Sequence, residues 1–230
     1  MRTRNVAHLT TALGLSLGLL SQANAVPQLR LTTSTGATVT VVDGDDNDSA
    51  AEVGLVVYNG PLGHWSINVT TGVSKPAAGS ELIPMLDLNS LDMSSSGAAG
   101  SITLELTDIG FGSQPNAAHV GTVIGGTAAG TVNFRSFFDA ANEAFGQGTE
   151  LTNASFGSGA FSGTGWSSLA AANPFSLTLL VTLTHDSRPF QLSSFDAGVQ
   201  VPEPASLLLV GMGLLAMGFT LRRRVRAVAF

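Results

Sequence analysis

Alternation of apolar and polar residues is the feature of this sequence that most restricts its fold. In residues 102–107 and 177–184 every second residue is Ile, Leu or Val, and most of the residues between them are Thr. The same pattern runs through residues 65–70 and 39–41. A period of two places successive side chains on opposite faces of a β-strand. These segments are therefore predicted to be strands with one buried and one exposed face.

Turn-forming residues punctuate the predicted strands. Asn59-Gly60-Pro61, Ser96-Gly97 and Gly125-Gly126 are combinations that favour turns. Many short strands without alternating helical segments are typical of antiparallel folds. We therefore expect residues 26–200 to form one all-β domain, an antiparallel β-sandwich or jelly roll.

One segment of this domain fits two patterns. Phe134, Phe137, Phe138, Ala141 and Phe145 have the spacing of one face of a helix. Residues 131–138 would also pass as a strand, because aromatic and β-branched residues are frequent there. Both a strand and a short helix or turn stay open for this segment.

The charge of residues 26–200 excludes several partners. This span contains four Lys and Arg residues against fifteen Asp and Glu residues, a net charge of about −11. Nucleic acids and anionic lipids are bound through basic side chains, so neither is an expected partner. The chain has no Cys, which excludes disulfides and thiolate chemistry and leaves stability to the packed core.

The N-terminal residues have the pattern of a secretory signal peptide. Arg2 and Arg4 precede an apolar stretch at residues 9–20, and Ala23-Asn24-Ala25 is a small-x-small cleavage site. Residues 1–25 are therefore predicted to be a leader that directs export.

Residues 201–230 combine three features in a fixed order. Two prolines flank Glu203, an uncharged apolar run follows at residues 205–221, and a cluster of arginines comes next. As a helix the run would be about 25 Å long, which is enough for a thin bilayer. The positive-inside rule places the arginines on the cytoplasmic side and the prolines outside. The residues of the two flanking features are Pro202, Glu203, Pro204, Arg222, Arg223 and Arg224.

This arrangement resembles the PEP-CTERM sorting signal of exported proteins of Gram-negative bacteria. The resemblance implies recognition by an exosortase, a membrane peptidase, with a transmembrane helix at residues 205–221 as a temporary anchor. It also implies delivery to the cell surface or to an extracellular matrix, in association with exopolysaccharide or biofilm. The alternative is an ordinary membrane anchor without processing.

An acidic segment near the start of the domain is a weak candidate for a calcium site. Asp43, Asp45, Asn47 and Asp48 supply closely spaced oxygens, and the first three occupy the first, third and fifth positions of an EF-hand-like loop. The match fails further on, because Asp48 stands where glycine is required and Gly54 stands where a glutamate should close the site. The alternative is a hairpin turn between strands at residues 39–42 and 53–58. No other cofactor is expected.

No catalytic pattern stands out in the exported region. His64, His119 and His185 are separated in the sequence and lack the spacing of a helical zinc site. We therefore expect histidines that are isolated, hydrogen-bonded within the fold or on the surface, and a protein that is not an enzyme.

The sequence is compatible with two functions. The first is a structural protein of the cell surface or matrix, and the second is a carbohydrate-binding module or weak glycan-active enzyme. Tyr58, Trp65 and Trp166 could stack on sugars. Trp65 alternates in phase with Ile67 and Val69, so it is predicted to face the core.

Overall fold

The computed structural model describes residues 26–112, 119–169, 172–202 and 212–214. The predicted leader at residues 1–25 lies outside this range. The sorting-signal residues Glu203, Pro204 and Arg222 to Arg224 also lie outside it.

Twelve β-strands form two six-stranded antiparallel sheets in the described part of the chain. The first sheet has the order β2-β1-β6-β11-β8-β9, and the second has the order β3-β4-β5-β12-β7-β10. The strands are β1 (Gln28–Thr33), β2 (Thr38–Val42), β3 (Leu55–Leu62), β4 (Trp65–Val73), β5 (Met85–Ser95), β6 (Gly100–Phe111), β7 (His119–Ala128), β8 (Thr131–Asp139), β9 (Thr149–Phe156), β10 (Gly159–Ser168), β11 (Phe175–His185) and β12 (Gln191–Gln200).

The two sheets pack face to face as a β-sandwich, which confirms the predicted fold class. The central strands of the first sheet are β6 and β11, and those of the second sheet are β5 and β12. One hydrophobic core lies between the sheets. Its largest fully buried side chains include Trp65, Phe111 and Phe134.

The period-two pattern correctly predicts which side chains fill this core. Every apolar residue of the alternating sets in β6 and β11 is at most 1% exposed. The intervening Thr103 and Thr182 face outward, where their hydroxyls lie 3.0 Å apart across the strand pair. The members of the two buried sets are Ile102, Leu104, Leu106, Leu177, Leu179, Val181 and Leu183.

The alternation in β4 changes phase after Ile67, which the sequence pattern did not predict. Trp65 and Ile67 are buried as expected, whereas Val69 is half-buried and Thr70 faces the core. The pairing of β4 with β5 keeps one register throughout. The register shifts lie on the outer sides of this pair, between β3 and β4 after Tyr58 and between β12 and β5 after Ser193, and Asp92 of β5 has a φ of 55°. Thr70 is accommodated in the core because its hydroxyl lies 2.8 Å from that of Ser90.

Two predicted turns lie within strands instead. Gly60 belongs to β3, at its register shift with β4, and Gly126 belongs to β7. Gly126 has a φ of 159°, and a side chain there would collide with the backbone of β12 at Ser194. Glycine at this position therefore permits a close approach of β7 and β12 and does not form a turn. Ser96 and Gly97 do separate β5 from β6, as predicted.

The segment with two patterns is a strand. Residues 131–139 form β8, which pairs with β11 and β9, and a turn follows. The helical alternative is wrong because pairing on both sides of the strand satisfies its backbone and buries Phe134, Phe137 and Phe138.

The folded domain extends to Val201. Val199 is buried within β12, and Val201 is 1% exposed, with its amide donating to the carbonyl of Pro84 at 3.0 Å. Pro202, the next residue, is exposed.

The predicted membrane span at residues 205–221 is described only at residues 212–214, which are helical. Among the residues that the structure describes, no helix has the length and apolar character needed to cross a membrane.

Candidate functional site

A groove on the outer face of the second sheet is the best candidate site. It has a volume of about 300 Å³ and lies across β10, β7, β12 and β5. We call it the Trp166 groove and define it by Asp87, Val123, Trp166, Asp196 and Gln200, which all line it.

Strand register brings these residues together. Trp166 of β10 is opposite Gly121 of β7, and Gly121 is opposite Gln200 of β12. Two residues further along, Gly198 of β12 lies between Val123 and Asp87. Residues opposite one another in an antiparallel sheet share a face, so the groove crosses four strands on one side.

Glycines form part of the groove floor and give Trp166 its position. A Cβ atom at Gly121 would lie 3.3 Å from the indole carbons Cη2 and Cζ3 of Trp166. The indole therefore packs against the backbone of β7, yet the residue is 70% exposed. Gly198, which lies between Val123 and Asp87, likewise adds no side chain to the floor. The result is a shallow apolar floor with one aromatic wall.

The acidic side of the groove consists of Asp87 and Asp196, which hydrogen-bond to each other. Such a contact between two carboxyl groups requires one of them to carry a proton. Burial, followed by the charge of Asp196 and the hydrogen bond to it, raises the pKa of Asp87 to about 6. One proton is therefore retained on the pair well above the pH at which an ordinary Asp would lose it.

The two other candidate aromatics lie away from the groove. Trp65 is in the core, as predicted, and only 1% exposed. Tyr58 is partly buried in β3 and donates its hydroxyl to the carbonyl of Pro61 at 3.0 Å. A three-ring platform of Tyr58, Trp65 and Trp166 is therefore wrong, because only Trp166 offers an open ring face.

Two of the three histidines lie on either side of Trp65. The ring centroid of Trp65 is 5.6 Å from that of His64 and 4.6 Å from that of His185. His185 is buried between two hydroxyls, with Nδ1 3.1 Å from Ser95 Oγ and Nε2 2.8 Å from Ser193 Oγ. Burial lowers the pKa of His185, the nearby Asp186 charge opposes this, and His64 adds to it. Trp65 and His185 thus belong to the core, and His64 is half-buried beside them.

The acidic segment at residues 43–54 connects the two sheets. β2 pairs with β1 in the first sheet and β3 pairs with β4 in the second, so the segment is a crossover and the hairpin alternative is wrong. A hairpin would need β2 and β3 to be hydrogen-bonded neighbours.

The carboxylates of this crossover accept backbone hydrogen bonds. Asp43 accepts from Gly54 at 2.6 Å, Asp45 accepts from Val42 and Asn47, and Asp48 accepts from Gly44, Ala50 and Val57. Within the described ranges, no group of three or more His, Asp or Glu side chains is arranged to hold a metal ion. Calcium binding by Asp43, Asp45, Asn47 and Asp48 stays a prediction.

Sequence reasoning missed Asp87 and Asp196. Each is a single acid between buried apolar neighbours, in Leu86-Asp87-Leu88 and Phe195-Asp196-Ala197. This pattern could have indicated carboxylates on the outer face of two strands. It could not have indicated that β5 and β12 are adjacent.

Comparison with known proteins identifies the sorting signal. Residues 200–224 match the family model of the PEP-CTERM protein-sorting motif, so the chain carries a PEP-CTERM domain, as predicted. The match begins at the last residue of β12.

Other comparisons are distant. The chain resembles a β-glucosidase from Kluyveromyces marxianus, solved in complex with glucose, at 12% identity and a TM-score of 0.32, with 87% of this chain and 20% of that chain covered. It resembles the ribosomal oxygenase YcfD from Escherichia coli at 8% identity and a TM-score of 0.23, with 82% and 42% covered. This chain thus spans less than half of either structure, and neither likeness supports an argument about activity. No curated protein matches the chain.

Proposed function

We propose that this protein is a non-enzymatic component of the bacterial cell surface or extracellular matrix, released into place by an exosortase. The PEP-CTERM motif implies an exported protein with an exosortase as its sorting partner. The finer steps are membrane anchoring through residues 205–221, cleavage near Pro202-Glu203-Pro204, and association of the released domain with exopolysaccharide or biofilm.

The position of the motif directly after the folded domain is the main support for this proposal. Among the residues that the structure describes, Val201 is the last buried one, and Pro202 is exposed immediately after it. A peptidase needs an accessible, unpaired backbone, and proline cannot donate to a β-ladder. Cleavage beyond Pro202 would leave β12 and its contact with Pro84 intact, so the domain would be released fully folded.

Processing can be tested by replacing Glu203, or Pro202 and Pro204 together, with alanine. These changes leave residues 205–221 untouched, so membrane insertion should not change. In a host with an exosortase, the parent should be shortened and released, whereas the variants should accumulate at full length in the membrane fraction. Asp46→Ala is the matched control, since it removes an exposed acid far from the motif and should be processed normally.

Two further samples distinguish sorting from simple anchoring. A host lacking an exosortase should retain the parent protein at full length. Deletion of Arg222 to Arg224 should disturb orientation and retention in the membrane without mimicking the alanine variants. Normal release of the Pro202/Pro204 double variant would refute the processing proposal.

The Trp166 groove favours a second candidate function, carbohydrate binding. An exposed indole beside carboxyl groups provides a stacking surface and hydrogen-bonding groups for sugar hydroxyls. Hydrolysis is less well supported. Paired carboxyl groups in most glycosidases stand about 5–9.5 Å apart, on either side of the bond that they cleave. Asp87 and Asp196 instead hydrogen-bond to each other, which is a closer arrangement than either of these spacings. Screening the protein and its Trp166→Ala variant on a glycan array tests the binding function, which fails if the two profiles agree.

A further inference from the structure

The acidic pair in the Trp166 groove has no cationic partner in the described part of the chain. Four Lys and Arg residues occur there, and each one is engaged by a carboxylate elsewhere. Arg30 pairs with Glu105 at 2.7 Å, Lys75 with Asp108 at 2.9 Å, Arg135 with Glu150 at 2.6 Å and Arg188 with Asp186 at 2.8 Å. The charge of Asp87 and Asp196 is thus not neutralised by these side chains.

Because no cationic side chain neutralises this pair, repulsion between the two carboxylates destabilises the folded protein at neutral pH. The pKa of Asp87 is raised to about 6, so at pH 7 the pair carries most of two negative charges in contact. Another acid would add to this repulsion, whereas an ammonium group would relieve it and could donate hydrogen bonds to both carboxylates. The groove is therefore complementary to a positively charged group.

Trp166 adds a second requirement for the ligand. One face of its indole is covered by the backbone at Gly121, and the residue remains 70% exposed. The open face of an indole attracts flat apolar surfaces and cations. Val123, which is 53% exposed, extends this apolar surface toward Asp87. A ligand that fills the groove therefore needs an apolar face near a charged amine.

The spacing suits a small ring. Trp166 projects over β7, and Asp87 lies two strands further along the sheet, about 10 Å away at about 4.8 Å per strand. Gly198 keeps the floor between them clear. His119 lies two residues before Gly121 on the same face, and it is a further titratable neighbour on β7.

We propose that the Trp166 groove binds amino sugars of a glycan, with the sugar ring on Trp166 and its ammonium group at Asp87 and Asp196. This rests on the second proposed function, carbohydrate binding, and specifies its ligand class. The carbon-bound hydrogens of a pyranose provide the apolar face, and an unacetylated amine provides the charge. A neutral glycan would satisfy only the first of these two requirements.

Binding of two matched oligosaccharides tests the proposal. The full-length chain in detergent would be titrated at pH 6.5 with the tetramer of glucosamine and, separately, with the tetramer of N-acetylglucosamine. They have the same backbone and differ in the acetyl groups that remove the positive charge. We expect the glucosamine tetramer to bind at least tenfold more tightly, with affinity that falls as salt is added.

Variants assign the binding to the groove. Trp166→Ala and the Asp87→Asn/Asp196→Asn pair should each weaken glucosamine binding at least tenfold. Asp46→Asn, which removes one charge from an exposed site outside the groove, should bind as the parent does. Because Trp65 is buried and Trp166 is exposed, protection of fluorescence from a soluble quencher gives an independent readout of ligand at Trp166. Circular dichroism of each variant shows whether it is folded.

Each other result contradicts a definite part of the proposal. Equal binding of the two tetramers would overturn the preference for amino sugars while leaving carbohydrate binding in place. Binding of neither tetramer, together with no glycan on an array, would overturn both. Glucosamine binding that survives in folded Trp166→Ala and Asp87→Asn/Asp196→Asn proteins would place the site outside the groove.

Discussion

Asp87 and Asp196 share a hydrogen bond across two adjacent strands, although both are acids and more than one hundred residues separate them in the sequence. Most neighbouring charges in this protein are of opposite sign, as in the four ion pairs. Like charges that are held close together destabilise the folded state locally, and they are found most often at functional sites.

Asp87→Asn should stabilise the protein at neutral pH and have no such effect in acid. The pKa of Asp87 is about 6 in the folded state and 3.8 as the ordinary value, so between these pH values only the unfolded chain loses its proton. Folding therefore becomes less favourable as pH rises, and the loss is complete above pH 6. The melting temperature of the variant should exceed that of the parent by a few degrees at pH 7.5 and match it at pH 4. A gain of the same size at both pH values would contradict this account.

Lys75→Met should be strongly destabilising. The ammonium of Lys75 donates to Asp108 Oδ2 at 2.9 Å and to the carbonyl of Ile109 at 2.6 Å, and Asp108 is fully buried. Burial already raises the pKa of Asp108, with Lys75 and Ser74 opposing that rise. Removing one member of a buried pair costs about 3–5 kcal/mol, because the other charge is left uncompensated. Urea unfolding measures this loss.

The matched control for Lys75 is Arg188→Met. Arg188 also pairs with a carboxylate, but both side chains are more than half exposed. Its replacement should change the free energy of unfolding far less, since solvent screens an exposed pair. Equal losses for the two variants would mean that burial of the Lys75 pair is unimportant.

His185 should remain neutral in the folded protein down to acidic pH. Its pKa is lowered chiefly by burial, and the two serine hydroxyls that contact its ring nitrogens suit a neutral imidazole. The unfolded chain takes up a proton near pH 6.5, so stability is full above that pH and decreases as the pH falls toward the pKa of the folded state. A nuclear magnetic resonance titration should place the midpoint of His185 below 6.5.

His185→Gln isolates this contribution to acid sensitivity. Both proteins contain the Asp87–Asp196 pair, so that effect cancels when each protein's change in stability between pH 7.5 and 5.5 is compared. The parent should lose more stability than the variant over this interval. An identical loss would show that His185 does not cause the acid sensitivity.

Calcium should have at most a modest effect on stability. The carboxylates of Asp43, Asp45 and Asp48 accept backbone hydrogen bonds within the crossover, so a cation would have to compete with these donors. Melting temperatures with millimolar calcium and with chelator should therefore be similar. A large calcium-dependent rise that disappears on replacing Asp43 and Asp45 with asparagine would instead establish the cation site.

The sequence by itself determined the most regularly alternating strands and the sorting signal. Apolar alternation in β6 and β11 is a local property, and it identified the buried face of each strand because side chains alternate along any extended backbone. The order of Pro202-Glu203-Pro204, an apolar run and arginines is likewise readable along the chain, and the family match confirms it.

Only the tertiary structure decided which strands and which side chains are neighbours. The phase change after Ile67 accompanies register shifts in the pairings of β4 with β3 and of β5 with β12, and the crossover at residues 43–54 depends on which sheet each neighbouring strand joins. The Trp166 groove depends on four strands whose order in the sheet differs from their order in the chain. Local sequence sets the period of a strand, but its partner and register follow from the packing of the whole core, so the contact between Asp87 and Asp196 emerges only when the sandwich closes.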